Sequence, residues 1–158
     1  MRAELEEKLG KAFPFMERKN SLAKQQAEGY IGDLFGAFGC DVDDGWYRLI
    51  YDMCQEITDL YRSYHKEIDI VPTQVKEKFG TLRFYHRFGG REESGYEELH
   101  RKVEDVVSKY EDKSGSVCEQ CGDVGKLRDD RGWIRALCDK HAAFLRIPPP
   151  KAGEYEDD

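Results

Sequence analysis

The strongest periodic pattern in the chain is an apolar stripe between residues 44 and 66. Its members recur at steps of three and four residues, which places them on one face of an α-helix. They are Trp46, Tyr47, Ile50, Met53, Cys54, Ile57, Leu60, Tyr61 and Tyr64. Asp43 or Asp44 lies where a helix N-cap would accept the free amides of the first turn. The pattern predicts a long core helix over about 44–66, preceded by less distinct helices over 2–13 and about 20–34.

The period changes from helical to alternating after Pro72. One set of residues then occupies every second position, as the residues on one face of a strand do. The set is Val75, Glu77 and Phe79, followed by Leu82, Phe84 and His86. We expect strands over 71–78 and 81–88, joined at Gly80, and a further helix over about 94–111. The predicted fold is therefore α+β, with helices packed on a short antiparallel β-hairpin.

The composition is typical of a globular protein. Of the 158 residues, 39 % are hydrophobic, and no apolar run approaches the ~20 residues that a membrane span needs. The first residues are rich in charge and contain no apolar stretch of the kind found in secretory signals. We therefore expect a cytoplasmic protein that makes no contact with membranes.

Charge is distributed in blocks along the chain. The net charge of −7 argues against a general duplex-binding domain, since such domains carry a basic footprint. Residues 70–91 nevertheless hold five basic and one acidic residue, and residues 113–146 hold seven basic and five acidic. An acidic block over 92–112 lies between them. A local phosphate-binding patch is thus compatible with an acidic chain.

Three cysteines and one histidine are spaced like the ligands of a zinc ion. Two residues separate Cys118 from Cys121, and two separate Cys138 from His141, with sixteen residues between the pairs. Such gaps let both ligands of a turn reach one ion, and four Cys and His ligands close a structural site. Gly122 can supply the left-handed backbone of a knuckle turn. The spacing predicts structural Zn²⁺ in a treble-clef or zinc-ribbon-like finger. Free buried thiols and a redox CxxC pair are weaker alternatives.

The chain divides into three segments. Residues 1–112 form the predicted helical and hairpin body, residues 113–146 the zinc-binding finger, and residues 147–158 an acidic, flexible tail that follows a proline-rich stretch. Units below ~40 residues usually need a metal or disulfides to fold. We therefore expect zinc to supply the folding energy of the finger, and the body to stay folded without it.

Three motifs resemble a family of small, uncharacterised proteins found in phage and bacterial genomes. They are the segment Gly45–Tyr51, the segment Gln74–Tyr85, and the finger with Gly132-Trp133 before Leu137–His141. The resemblance covers about 44–141. It implies a phage or mobile-element setting and a zinc finger joined to an α+β body, and it brings no catalytic residues.

The expected function is that of a non-enzymatic, zinc-stabilised binding protein, phage-encoded, that inhibits or modulates a host protein complex such as one of host defence. The alternative is a nucleic-acid-associated regulator that uses basic residues of the hairpin and the finger. The candidate contacts are Lys76, Lys78, Arg83, Arg87, Arg131, Trp133 and Arg135. Such residues grip phosphates and stack bases. They can equally form surface ion pairs with the acidic 92–112 block.

A minor alternative is a zinc-dependent nucleobase deaminase, whose signature joins H-x-E to P-C-x-x-C. His65 and Glu67 precede the Cys118 and Cys121 pair in that order. However, Val117 stands in place of the proline, and the second ligand pair already completes the coordination of the metal. Deamination is the least favoured of the three functions.

Overall fold

The computed structural model of the chain describes residues 1–19, 34–89, 95–130 and 132–144. The helix predicted over about 20–34 lies outside these residues except at its last position. The acidic tail predicted over 147–158 lies wholly outside them.

The described elements confirm an α+β fold. The helices are α1 (Ala3–Ala12), α2 (Leu34–Phe38), α3 (Tyr47–Ser63), α4 (Tyr96–Ser114) and α5 (Asp139–Phe144), with 3-10 turns at Pro14–Met16 and Asp44–Trp46. The strands are β1 (Cys40–Asp41), β2 (Ile70–Lys78), β3 (Thr81–Phe88), β4 (Lys126–Asp130) and β5 (Trp133–Leu137). The predicted long helix, the hairpin and the helix that follows it each match an observed element to within a few residues.

The core lies between the two long helices and the hairpin. Helix α3 buries its apolar stripe, and α4 packs on both α3 and β3. The residues with no exposed surface in this core include Trp46, Ile50, Met53, Cys54, Ile57, Tyr61, Leu82, Leu99, Val103 and Ala136. Ala136 belongs to β5, so the C-terminal hairpin contributes to the same core as the long helices. Among the described residues, no helix has both the length and the apolar character that crossing a membrane requires.

The larger sheet has the order β1-β2-β3. Strands β2 and β3 are antiparallel, and their two-residue turn consists of Phe79 and Gly80, both left-handed with φ of +53° and +81°. These angles match a type I′ hairpin turn. Strand β1 pairs with β2 in parallel and places Cys40 opposite Val75. It was not predicted from the sequence because two residues are too few to show an alternation.

The smaller sheet is the antiparallel pair β4-β5. Strand β4 reads Lys-Leu-Arg-Asp-Asp and carries one apolar residue, so its sequence resembles a loop. The register places Leu127 opposite Ala136 and Arg128 opposite Arg135. Paired residues share a face of the sheet. Leu127 and Ala136 therefore lie on one face, and the two arginines lie on the other.

The prediction that Asp43 or Asp44 caps the long helix is wrong. Neither the 3-10 turn nor α3 has a side-chain cap hydrogen bond at its start. Asp44 instead accepts a hydrogen bond of 2.8 Å from the backbone amide of Arg2. Asp43 pairs with Arg135 of β5. Both carboxylates bind residues that are distant in sequence, so local capping rules do not account for them.

Candidate metal centre

The predicted ligands come together in space. Cys118 and Cys121 lie in the turn between α4 and β4, while Cys138 immediately precedes α5 and His141 lies in its first turn. One ligand atom from each of the four lies within 4.8 Å of all the others. The cluster can therefore hold a metal ion.

The distances between donor atoms match the edges of a small tetrahedron. Cys121 Sγ lies 3.8 Å from Cys138 Sγ, and Cys118 Sγ lies 3.5 Å from His141 Nδ1. Cys138 Sγ lies 3.2 Å from the same nitrogen. With Zn–S near 2.3 Å and Zn–N near 2.0–2.1 Å, tetrahedral geometry gives edges of about 3.8 Å for S–S and about 3.5 Å for S–N. These three separations lie within about 0.3 Å of the edges expected around a four-coordinate zinc ion.

Backbone hydrogen bonds shape the turn that carries the first two ligands. The amide of Gly122 donates to the carbonyl of Cys118 at 2.8 Å, and the amide of Cys118 donates to the carbonyl of Asp123 at 2.8 Å. Gly122 has a φ of +83°, as the knuckle turn was predicted to need. The turn thus brings both sulfurs to the same side of the backbone.

The surroundings favour a thiolate at one ligand. Burial opposes ionisation of Cys118, but backbone N–H groups at Cys138, Cys121 and Gln120 outweigh burial and lower its pKa to about 6. At Cys121 the Asp123 amide favours the thiolate, yet burial and the sulfurs of Cys118 and Cys138 raise the pKa to about 11. Metal ions bind cysteine as the thiolate. The backbone N–H groups around Cys118 thus favour the thiolate, the form in which a cysteine binds a cation.

A buried glutamate between the first two cysteines joins the metal centre to the body. Glu119 is 4 % exposed. Its Oε1 accepts a hydrogen bond of 3.1 Å from the Asp43 amide, and its Oε2 lies 3.4 Å from Arg135. Burial raises the pKa of this carboxyl group. No sequence signal points to the role of Glu119, because an acidic residue inside a CxxC motif resembles an ordinary surface residue.

Gly45 allows the finger backbone to approach the body closely. Its amide donates to the carbonyl of Glu119 at 2.7 Å. A Cβ atom at Gly45 would lie 2.3 Å from the carbonyl oxygen of Cys118 and 2.4 Å from that of Glu119. Glycine is the only residue that fits this position without a shift of the backbone.

The finger residues proposed as nucleic-acid contacts differ in their environments. Arg135 has a side chain that is 15 % exposed and lies 2.7 Å from Asp43, so its charge is compensated within the molecule. Trp133 is 64 % exposed, with the guanidinium of Arg135 5.8 Å from its ring centre. Arg131 lies outside the described residues.

The hairpin residues proposed for the same role lie on β2 and β3. Lys76 is paired with Arg83 across the two strands, and Lys78 lies two residues further along β2. Arg87 is half-buried opposite Val71. Within the described part of the chain, no carboxylate lies within ion-pair distance of Lys76, Lys78 or Arg83.

The histidine and glutamate of the deaminase pattern, His65 and Glu67, lie in the segment between α3 and β2. His65 adopts a left-handed φ of +52°, and the carbonyl of Glu67 accepts a hydrogen bond of 3.1 Å from Tyr96. The described cluster takes its nitrogen ligand from His141. The absence of catalysis stays a prediction.

Comparison of the chain with protein-family models, with curated proteins and with solved structures finds no match. The resemblance to the phage and bacterial family, drawn from sequence motifs, gains no support from these comparisons and stays a prediction.

Proposed function

We propose that the chain is a non-catalytic binding protein, stabilised by zinc, that acts by occupying a protein partner. The set of three sulfurs and one imidazole nitrogen is the kind that structural zinc sites use, and four protein ligands fill the tetrahedron. A filled coordination shell leaves no position for substrate or a catalytic water. This closed donor set favours a structural metal.

One side chain carries the proposal of a protein partner. Phe79 is 64 % exposed and has a φ of +53° at the tip of the β2–β3 hairpin. A type I′ turn favours asparagine or glycine at this position. A non-glycine residue in the left-handed region costs about 1–3 kcal/mol, and strain of this kind concentrates at functional sites. Phenylalanine at this position strains the backbone and exposes an apolar ring to water. Both costs are typical of a residue that binds a partner.

A second apolar side chain extends this surface. Leu127 of β4 is 50 % exposed. A Cβ atom at Gly80, the residue after Phe79, would lie 2.7 Å from Leu127 Cδ2. Phe79 and Leu127 therefore flank Gly80, and we call them the tip surface. Exposed apolar surface and buried aromatic anchors are common features of protein–protein contacts.

The partner class follows from the predicted setting. The resemblance to phage and bacterial proteins makes a host protein complex the partner that we propose, and host defence is one such target. No reacting group of the chain is needed for this mode of action, since occupying a surface is sufficient to block it.

The test compares proteins captured from host cells by tagged variants. Phe79→Asn removes the ring and retains a residue suited to the turn, so folding should be preserved. We expect a partner captured by the unaltered chain to be lost with this variant. Phe38→Ser is the matched control, because Phe38 is 66 % exposed on α2. The proposal fails if Phe79→Asn captures the same proteins, or if Phe38→Ser loses them to the same extent.

The metal is tested separately. Elemental analysis of protein purified without chelator should find one zinc ion per chain. Well under half an equivalent of zinc, or a different metal in its place, would overturn the zinc assignment and leave the tip surface to be judged by the capture experiment.

A further inference from the structure

Two cations face each other directly across the β2–β3 hairpin. The register pairs Lys76 with Arg83, so their Cβ atoms are about 4.5–5.5 Å apart on one face. Like charges in this position destabilise a sheet. Lys78 is two residues further along β2 and lies on the same face. Asp41 is paired with Lys76 on the other side, yet no ion pair between them is found within the described residues.

Several other basic groups in the described part of the chain form ion pairs with carboxylates. Arg128 lies 2.5 Å from Asp139, Arg135 lies 2.7 Å from Asp43, and Arg48 lies 3.0 Å from Asp52. These three arginines are thus compensated by carboxylates of the chain itself. In the β1-β2-β3 sheet as described, Lys76, Lys78 and Arg83 have no carboxylate within ion-pair distance, and all three lie on the β2–β3 hairpin.

The guanidinium of Arg83 is held in place by its neighbours. Its Nη1 donates to Thr81 Oγ1 at 2.7 Å and to the carbonyl of Leu82 at 3.3 Å. Thr81 is paired with Lys78. The arginine is therefore oriented along the strand, toward the end of the hairpin that carries Lys78.

An exposed aromatic ring lies beside these cations on the same face. Tyr85 is 43 % exposed and pairs with Gln74, one row away from Lys76 and Arg83. Successive rows on a face are about 7 Å apart. Proteins that bind single-stranded nucleic acids combine cations that track the backbone with rings on which bases stack.

We propose that the face formed by Lys76, Lys78, Arg83 and Tyr85, which we call the hairpin face, binds a single-stranded nucleic acid. The three cations contact phosphates, and the Tyr85 ring stacks on a base. From the row of Tyr85 to that of Lys78 the face spans about 14 Å, enough for only a few nucleotides. An acidic peptide would satisfy the cations but would leave the aromatic ring without a stacking partner.

This inference goes beyond the protein contact proposed above and uses different residues. Phe79 and Leu127 are not required for it. A chain with both surfaces could hold a protein at the hairpin tip and a nucleic-acid strand on the adjoining sheet face.

The test measures the fluorescence anisotropy of a labelled twelve-residue oligothymidylate with the full, zinc-loaded chain between 50 and 200 mM KCl. Each phosphate contact on a single strand contributes about −0.7 to the slope of log affinity against log salt, so three contacts predict about −2. Lys76→Gln and Arg83→Gln should each reduce the slope by about 0.7. Tyr85→Leu should weaken binding about tenfold, and Tyr85→Phe should retain it.

Two controls separate this result from other effects. Arg48→Gln removes one exposed cation on α3 and should leave binding unchanged. Phe79→Asn removes the ring whose centre lies 5.5 Å from the Lys78 ammonium, and it should change the slope by less than the value of about 0.7 for one phosphate contact. Failure of the protein contact and failure of this inference are therefore distinguishable. The inference is overturned if the oligonucleotide does not bind at 50 mM KCl, or if Arg48→Gln weakens binding as much as Arg83→Gln. It is also overturned if poly-glutamate competes equally while Tyr85→Leu binds normally, since the face would then be a contact for acidic proteins.

Discussion

The indole nitrogen of Trp46 donates a hydrogen bond of 2.9 Å to the carbonyl oxygen of Val117, 71 residues further along the chain. Trp46 is fully buried at the start of the long helix. Val117 directly precedes the first cysteine of the metal centre. A fully buried aromatic side chain of the body is therefore bonded to the backbone next to a candidate metal ligand.

This bond provides a reporter for metal removal. In a Trp133→Phe background Trp46 is the only tryptophan, and we expect chelation to change its emission because the finger backbone moves away. Zinc contributes on the order of 10 kcal/mol to the folding of structural sites. The finger should unfold and become sensitive to protease near residues 114–116, while the far-ultraviolet circular dichroism of α3 and α4 persists with a lower unfolding midpoint.

The same experiment decides the predicted division into a body over 1–112 and a finger over 113–146. Loss of the helical signal together with the finger in one cooperative transition would contradict that division. Ala136 of the finger is part of the main core, so unfolding of the finger could also destabilise the body.

Three glycines offer a graded test of how the finger docks. Gly122 and Gly132 both have a φ of +83°. A Cβ atom at Gly122 would lie 3.0 Å from the carbonyl oxygen of Gly45, whereas a Cβ atom at Gly132 would have no neighbour within 4 Å. Alanine at Gly132 should cost about 1 kcal/mol from backbone strain alone. Alanine at Gly122 should cost more, and alanine at Gly45 about 3 kcal/mol, since two backbone carbonyls must move.

Urea unfolding of the three glycine variants measures these costs, and competition with a zinc chelator measures retention of the metal. We expect zinc retention to be highest in the Gly132 variant, lower in the Gly122 variant and lowest in the Gly45 variant, as for stability. Equal costs at Gly122 and Gly132 would show that contact with Gly45 does not hold the finger in place.

Arg135 should matter for stability and not for nucleic-acid binding. It lies beside Glu119, whose side chain is 5 % exposed. Arg135→Met leaves this carboxylate buried with less compensation, and we expect a loss of about 2–3 kcal/mol. Arg48→Met removes an ion pair whose arginine side chain is 76 % exposed and should cost under about 0.5 kcal/mol.

A second substitution tests the cause of that loss. Glu119→Gln in the Arg135→Met background removes the uncompensated charge and should recover part of the stability in urea unfolding. If Arg135→Met costs no more than Arg48→Met, the buried ion pair does not join the two parts of the chain.

Stability should decrease at alkaline pH because buried groups retain protons that the unfolded chain releases. Burial raises the pKa of Cys40 to about 12 and raises the pKa of Cys54 as well. Unfolded cysteine titrates near pH 8.5, so the stability from these protons is complete below that pH and is lost as pH rises toward 12. Each group contributes a slope of about 1.4 kcal/mol per pH unit.

Urea unfolding at pH 8, 9, 10 and 11 measures the alkaline slope. In Cys54→Ala, stability should decrease less steeply with pH, whatever the effect of the substitution on the absolute stability at pH 8. Burial and hydrogen bonding to Asp69 also raise the pKa of Tyr61, so Tyr61→Phe should reduce the slope only above about pH 10. An unchanged slope in Cys54→Ala would show that its thiol is not a source of the pH dependence.

Local patterns in the sequence were sufficient to predict several elements. The stripe from Trp46 to Tyr64 has a helical period, and the residues around Gly80 alternate. Two residues separate the members of each ligand pair. In each case the side chains that cooperate lie within a few positions of one another, so spacing alone predicts their shared face or shared ion. The long helix, the hairpin and the Cys118 to His141 cluster were found in this way.

Which charges are buried and which are compensated depends on contacts between distant parts of the chain. Glu119 and Arg135 resemble surface residues in sequence, yet they meet Asp43 from 76 and 92 positions away. The two-residue strand β1 likewise exists through its pairing with β2. The free energy of a charge or an edge strand depends on the groups that replace water around it. Those groups come from distant parts of the chain, and no local pattern records them.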